Sequence, residues 1–244
     1  MHSEYKRIVN NSEKAVLFIH GILGTPNHFK DFVDIVPQNF SVLNILLDGH
    51  GKTVKDFSKT SMKKWKNQVN EAVSMLSSTH NEIYIVAHSL GCLLAIDQVI
   101  KNPKIKKLFL LSVPLKVRIK PKLISNSLKV YLGVNEPHNP QLMAARERYG
   151  VGEDKNPFNY IGWVPRFLEL FSEIRKQRNR ITLLNTDITA YISLKDEMVS
   201  TRSKTYLELN KNINIVELKN STHYYYDKED YNRLLLDFKD LFLK

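Results

Sequence analysis

Short apolar segments that alternate with helical patterns constrain the fold of this chain more than any other feature. Ala15–Ile19 is a nearly uninterrupted apolar run, and such runs suit strands that are buried on both faces of a parallel sheet. A further strand, at the edge of the sheet, is expected at Tyr5–Val9. Five later segments have the same apolar character: Val42–Leu47, Ile83–Ala87, Lys107–Leu111, Ile188–Ser193 and Ile213–Leu218.

Helical patterns separate these segments. Thr25 precedes Pro26 in an arrangement typical of a helix start, and Ser61 is placed to cap a second helix. Strands that alternate with helices indicate an α/β fold with right-handed crossovers, in which helices cover both faces of a mostly parallel sheet. Further helices are predicted at Leu90–Ile100, at Ser200–Leu209 and after Asp227.

One region departs from this alternation. No convincing strand is found between about residues 114 and 180, and the stretch is too long for a plain connection between two strands. We therefore predict a mainly helical cap over residues 114–180, inserted between core segments 1–113 and 181–244.

Composition and charge narrow the classes of function. The 244 residues are 43% hydrophobic, which suffices for one large α/β domain. The net charge is +11, but the basic residues are scattered and are not interleaved with aromatics, so no nucleic-acid partner is predicted. No apolar stretch approaches the roughly 20 residues of a membrane span, and the N-terminus lacks an apolar leader. The single cysteine, Cys92, excludes an intrachain disulfide. We expect a soluble cytoplasmic protein without an integral membrane segment.

A serine stands where the third strong strand meets the following helix. The motif AHSLG at residues 87–91 predicts a sharp strand-to-helix turn that exposes the Ser89 hydroxyl at the top of the sheet. The amino end of the helix would favour negative charge that develops beside it. The alternative is that Ser89 merely caps the helix.

This turn resembles the Gly-x-Ser-x-Gly elbow of the α/β-hydrolase family, with Ala87 in place of the first glycine. The resemblance implies that Ser89 is a nucleophile. The motif HGILG after the first strong strand resembles the oxyanion loop of that family. It implies two oxyanion donors, the backbone N–H groups of Ile22 and Leu90. His20 is expected to brace this loop and not to act as a base.

The chain order of the family implies an acid and then a histidine after the nucleophile. Asp196 follows the fifth strong strand in a stretch that resembles Gly-x-x-Asp-x-x-Val, with Ser193 at the glycine position. The spacing to Val199 favours Asp196 over its neighbour Glu197. His223 lies between the last strand and the last helix, which is the family position of the base.

The loop DGHG, which contains His50, resembles the Pro-Gly-His-Gly loop of carboxylesterases and monoacylglycerol lipases. The resemblance covers essentially the whole chain outside the cap. It implies hydrolysis of small-molecule carboxylic esters with an apolar acyl group, through an acyl-enzyme and without a metal or organic cofactor. The cap residues Trp163, Phe167, Leu170 and Phe171 would line an acyl pocket, unless they simply pack the cap onto the core. His50 is expected to brace its loop.

Rival functions use the same residues, because a fold does not fix a function. An amidase, peptidase, thioesterase or acyltransferase could share this triad. A non-catalytic binding protein is a further alternative, which the loss of a triad residue would indicate.

Overall fold

A computed structural model describes residues 3–118, 121 and 136–243 of the chain. Its centre is a seven-stranded sheet in which neighbouring strands are parallel, apart from the antiparallel pair at one edge. The strands follow the spatial order β1-β3-β2-β4-β5-β6-β7. They are β1 (Tyr5–Arg7), β2 (Lys14–Ile19), β3 (Ser41–Ile45), β4 (Glu82–His88), β5 (Ile105–Leu111), β6 (Asp187–Ser193) and β7 (Ile213–Leu218).

Helices connect the strands. Short 3₁₀ helices occur at Pro26–Phe29, Pro157–Trp163 and Ile181–Leu183. The helices are α1 (Lys30–Ile35), α2 (Val54–Ser58), α3 (Met62–Thr79), α4 (Leu90–Val99), α5 (Pro140–Arg148), α6 (Val164–Arg178), α7 (Ser203–Leu207) and α8 (Lys228–Asp240). None of these helices is both long and apolar enough to cross a membrane.

The predicted caps form in part. Ser61 accepts a hydrogen bond from a backbone N–H of α3, and Asp227 does the same for α8. Thr25 makes no side-chain capping bond, and the segment after it begins as a 3₁₀ turn. The short helix α2 was not expected, although Thr53 and Asp56 form a capping box that fixes its start.

The two faces of the sheet pack against different helices, which confirms the predicted layered α/β architecture. In β2, Val16 and Phe18 belong to an aromatic-rich cluster with α1 and α8, whereas Leu17 and Ile19 pack with α3 and α4. This alternation follows from the two-residue period of a strand. Burial on both faces explains why the strands read as continuous apolar runs.

Helical structure dominates the described part of the segment that was predicted to be a cap. Its residues 136–180 hold α5, the 3₁₀ helix Pro157–Trp163 and α6, whereas most of the stretch from Val117 to Val130 lies outside the described residues. The division into core and cap stays a prediction.

Helix α4 runs through the centre of the molecule, and its first turn lies directly on the end of β2. A Cβ atom on Gly91 would overlap the carbonyl oxygen of Ile19 and would lie 2.9 Å from the carbonyl oxygen of His20. Only a residue without a side chain permits this approach. Gly91 therefore sets the distance between the start of α4 and the loop that follows β2.

We expect Gly91→Ala to destabilise the fold by about 3 kcal/mol, because the added methyl group overlaps rigid backbone. Urea unfolding followed by circular dichroism measures this change. Gly152→Ala is the control, since the nearest atom to its added Cβ lies 3.3 Å away. A loss below about 1 kcal/mol for Gly91→Ala would contradict the proposed constraint.

Candidate active site

The predicted site residues follow the carboxyl ends of neighbouring strands. Strands β2 and β4 are adjacent, yet the chain leaves β2 towards β3 on one side and β4 towards β5 on the other. Open α/β sheets form a crevice at such a switch point. Ile22 follows β2 and Ser89 follows β4, so both residues border this crevice.

Ser89 occupies a sharp turn between β4 and α4. Its φ of 51° and ψ of −117° lie in a region that non-glycine residues rarely adopt, at a cost of order 1–3 kcal/mol. Its side chain makes no capping hydrogen bond with α4. The hydroxyl is therefore not engaged as a helix cap, which was the alternative interpretation of this residue.

The two predicted oxyanion donors lie on either side of Ser89. Leu90 is the first residue of α4, whose N–H has no partner within the helix. Ile22 follows Gly21, and a Cβ on Gly21 would lie 2.9 Å from the Cβ of Ser89. Within the described residues, the N–H groups of Ile22 and Leu90 donate no hydrogen bond to the protein.

Asp196 and His223 form a buried pair. The Nδ1 of His223 lies 2.8 Å from Oδ2 of Asp196. The other carboxylate oxygen, Oδ1, accepts from the backbone N–H groups of Met198 and Val199 at 2.8 Å and 2.7 Å. These bonds leave the acid no freedom to rotate away from the ring. The spacing to Val199 therefore has a structural cause, because the N–H of that residue closes the loop on the carboxylate.

The electrostatics of the pair are set by burial and mutual attraction. Burial by itself would lower the pKa of His223, but the charge and hydrogen bond of Asp196 outweigh it and raise that pKa above 6.5. Burial by itself would raise the pKa of Asp196. The charge and hydrogen bond of His223, together with the two backbone donors, outweigh burial and hold that pKa below its usual value. The pair thus favours an ionised Asp196, which can hold and stabilise a protonated imidazole.

The remaining ring nitrogen of His223 is available for chemistry. Its Nε2 is buried and has no hydrogen-bond partner among the described residues. Glu197, the other acid considered from the sequence, accepts from the backbone N–H of His223 at 3.2 Å and does not bond the ring. The geometry therefore pairs the imidazole with Asp196 and gives Glu197 the task of holding the histidine backbone.

Sequence reasoning missed a stack of histidines behind the site. His88 Nε2 donates to the carbonyl oxygen of His223 at 3.0 Å, and the two ring centroids are 4.6 Å apart. His28 stacks on His88 with a centroid distance of 4.0 Å. Burial first, and then neighbouring charges, hold the pKa values of both His28 and His88 well below 6.5. His88 therefore joins the turn at Ser89 to the loop that carries His223, as a neutral donor. The one signal of this role in the sequence was that His88 directly precedes Ser89.

Tyr224 connects the loop that carries His223 to the loop that carries Ile22. Its hydroxyl donates to the carbonyl oxygen of Ile22 at 3.4 Å. Arg148, the last residue of α5, donates to the carbonyl oxygen of Tyr224 and lies 5.2 Å from the ring of Tyr226. The predicted cap segment thus contacts the loop that carries His223 directly.

Gly150 bonds the same segment to the loop that carries Ile22. Its N–H donates to Leu23 at 2.8 Å, and its carbonyl oxygen accepts from Gly51 at 2.5 Å. A Cβ on Gly150 would overlap both Thr25 Cγ2 and the carbonyl oxygen of Gly24. The backbone at Gly150 is therefore wedged between two loops at the carboxyl edge of the sheet.

His20 and His50 make the contacts of bracing residues, as expected from the sequence. His20 Nε2 accepts from the N–H of Leu47 at 3.0 Å, and its Nδ1 lies 2.8 Å from the carbonyl oxygen of Gly21. His50 Nε2 accepts from the N–H of Leu23 at 3.1 Å, and burial lowers the pKa of His50 to about 4. Both rings fix the backbone around Ile22.

Two of the residues assigned to an acyl pocket belong to the packed core. Trp163 packs on Phe57 with a centroid distance of 4.9 Å, and its Nε1 donates to the carbonyl oxygen of Val54. Leu170 is buried in the same cluster, whereas Phe167 is half-buried and Phe171 is exposed. Trp163 and Leu170 therefore pack the predicted cap onto the core.

Cys92 lies directly behind the turn at Ser89 and is fully buried. Its Sγ is 3.3 Å from the carbonyl oxygens of Ala87 and Leu111, and burial raises the pKa of the thiol far above its usual value. Across residues 3–118, 121 and 136–243, no group of three or more His, Cys, Asp or Glu side chains is arranged to hold a metal ion.

Solved structures of other proteins share this fold along nearly their whole length. One, described with the metagenome-derived lipolytic enzymes LipS and LipT, superposes with a TM-score of 0.75 at 14% identity, over 100% of this chain and 98% of the other. The monoacylglycerol lipase of Paleococcus ferrophilus superposes with a TM-score of 0.67 at 16% identity, over 98% of this chain and 99% of the lipase. Est1E of Butyrivibrio proteoclasticus superposes with a TM-score of 0.65 at 19% identity, over 99% of this chain and 94% of Est1E. These likenesses confirm the predicted fold.

Two curated relatives match part of the chain. Probable lysophospholipase BODYGUARD 1 of Arabidopsis thaliana is 33% identical over 111 residues, which are 43% of this chain and 24% of that protein. Probable lysophospholipase BODYGUARD 2 of the same plant is 32% identical over 106 residues, which are 41% of this chain and 22% of that protein. The match thus spans about a quarter of the length of these relatives.

A family match covers most of the chain. The family described as serine aminopeptidase, S33 (Hydrolase_4) matches residues 10–219, which include every residue predicted for the site except His223. The predicted α/β-hydrolase resemblance is confirmed, and the chain belongs to this hydrolase family.

Proposed function

We propose that the chain hydrolyses carboxylic esters through an acyl-enzyme formed on Ser89. The observation that carries the proposal is the buried Asp196–His223 pair, whose 2.8 Å contact leaves the opposite ring nitrogen without a partner in the described structure. A serine in a strained turn follows the strand that borders the same crevice. A neutral imidazole held in this way is suited to accept a serine proton.

The proposed reaction has two halves. Ser89 Oγ attacks the ester carbonyl carbon while His223 Nε2 takes its proton, and the N–H groups of Ile22 and Leu90 stabilise the oxyanion. The imidazolium then gives the proton to the departing alcohol as the ester bond breaks. A water molecule, deprotonated by His223, then attacks the acyl carbon. The bond to Ser89 Oγ breaks, the imidazolium returns its proton to Oγ, and the acid is released. Asp196 stabilises the protonated ring in both halves.

Ester substrates are favoured by the relatives, whose names describe lysophospholipases, a monoacylglycerol lipase and lipolytic enzymes. Phe167 and Phe171 remain proposed contacts for an apolar acyl group.

The family description, serine aminopeptidase, favours a second candidate function, the hydrolysis of amide bonds. A panel of p-nitrophenyl esters from acetate to palmitate, with a matched anilide and a thioester, separates these candidates. Faster turnover of the anilide than of every ester would refute the ester assignment.

A fluorophosphonate probe should add its mass to the peptide that contains Ser89. We expect Ser89→Ala to lose this label and to lower ester hydrolysis by about 10³-fold or more. Ser112→Ala is a matched control, because Ser112 also follows a strand and has a positive φ of 52°. It should keep the label. Labelling of another serine in wild-type protein would count against the nucleophile.

The pH dependence should report the raised pKa of His223. Because the base must be neutral, kcat/KM should fall as the pH drops through a midpoint above 6.5. In Asp196→Asn the carboxylate is lost while burial still lowers the pKa of the ring. We therefore expect the imidazole of that variant to titrate below 6.5, measured by NMR. An imidazole that titrates in Asp196→Asn at the wild-type pH would contradict the assignment of His223 as the base. A wild-type kcat/KM that stays flat down to pH 5 would contradict it as well.

The wedge at Gly150 should matter for catalysis although it is far from the triad in sequence. We expect Gly150→Ala to displace the oxyanion loop and lower kcat/KM by about 10- to 100-fold. The NMR titration of His223 should be unchanged. Gly152→Ala, in the same segment, meets its nearest atom at 3.3 Å and should cost less than threefold. Equal effects of the two substitutions would refute this role.

A further inference from the structure

A cationic cavity lies between helices α3, α4 and α6. It has a volume of about 480 Å³, and it lies around the carboxyl-terminal end of α4, whereas Ser89 is at the amino end of that helix. We call it the lysine pocket, and its lining residues are Lys63, Lys66, Asn67, Asn70, Asp97, Lys101 and Lys176.

Two carboxylates in this region are already engaged by cations. Asp97 is almost fully buried and contacts Lys101 at 2.5 Å and Arg180 at 2.7 Å. Glu173, also buried, contacts Lys66 at 2.6 Å. Their charges are therefore largely neutralised by residues that lie closer than the other lysines of the pocket.

The other two lysines of the pocket, Lys63 and Lys176, are compensated less closely than Lys66 and Lys101. Lys176 Nζ lies 3.8 Å from Asp97, which Lys101 and Arg180 approach more closely. Among the described residues, Lys63 takes part in none of the ion pairs that join cations to Asp97 or Glu173. With Arg180 beside it, the pocket carries five cations and two carboxylates, an excess of three positive charges.

Burial and the excess charge both act on Lys176. Burial lowers the pKa of Lys176, and repulsion from Lys66 and Arg180 lowers it further against the attraction of Glu173. Like charges held together in a concave site raise the local concentration of counter-ions. An anion bound in the pocket would relieve the repulsion that the fold leaves in place.

We propose that the lysine pocket binds a phosphate-type dianion, with Lys63 and Lys176 as its principal contacts. Ammonium groups bind phosphate as point charges. The side chains of Asn67 and Asn70, one helical turn apart on α3, add neutral amide donors. The ligand class is inorganic phosphate or a phosphate monoester, either free in solution or on a lipid headgroup.

The test is a titration with inorganic phosphate at constant ionic strength, with chloride as the compensating ion, followed by thermal unfolding and by calorimetry. Wild-type protein should show a saturating rise in Tm. The double variant Lys63→Gln/Lys176→Gln should bind phosphate about tenfold more weakly or worse. Lys106→Gln/Lys211→Gln is the control, because it removes the same charge from exposed positions elsewhere.

The measurement without phosphate separates ligand binding from a purely structural ion-pair network. The Tm of Lys63→Gln/Lys176→Gln should stay at or above the wild-type value, because Asp97 keeps Lys101 and Arg180. A structural network would lose stability in that variant. Such a loss, or equal phosphate responses in wild type and both double variants, would overturn the proposal.

Two further ligands identify the source of the phosphate. Glycerol phosphate tests a soluble monoester, and vesicles with and without phosphatidic acid test a lipid headgroup. Binding to either, when it is lost in Lys63→Gln/Lys176→Gln, supports the pocket and names its ligand. Ser89→Ala should respond as wild type does, so a failure of the proposed hydrolase function would leave this result unaffected.

Discussion

The contact between the first turn of α4 and the end of β2 underlies the geometry of the site. Because Gly91 has no side chain, the helix can lie against the carbonyl groups of Ile19 and His20. That proximity brings the start of α4, with Leu90, beside the loop that carries Ile22. Ser89 must then turn sharply to enter the helix, which accounts for its positive φ. The strain at the serine follows from this packing, and the surrounding buried strands hold it.

Burial lowers the pKa of every buried histidine around this turn, yet the net shifts go in opposite directions. His28, His50 and His88 are buried without a carboxylate on the ring, so the pKa of each is lowered and each is held neutral. His223 is equally buried, but Asp196 reverses the direction. A single carboxylate thus distinguishes the ring that can accept a proton from those that brace loops. Neutral bracing rings also avoid placing positive charge beside His223.

The sequence was sufficient for the features that depend on local patterns. Buried parallel strands are continuous apolar runs, and the site residues follow strand ends, so both could be located before the structure was known. The links between loops could not, since the contacts of His88 with His223, Tyr224 with Ile22 and Arg148 with Tyr224 join residues remote in the chain. Helix α2 is a different case, because its capping box was legible in the sequence.

Cys92 has a practical consequence. It is the one cysteine of the chain, and its thiol is enclosed behind the turn at Ser89 and kept in the unreactive protonated form. Thiol-directed dyes and spin labels react with exposed thiolates, so we expect the native protein to remain unlabelled by them. A cysteine introduced on α5 or α6 would carry a label at one known position without removal of the natural residue. Movement of those helices relative to the sheet would then be directly observable.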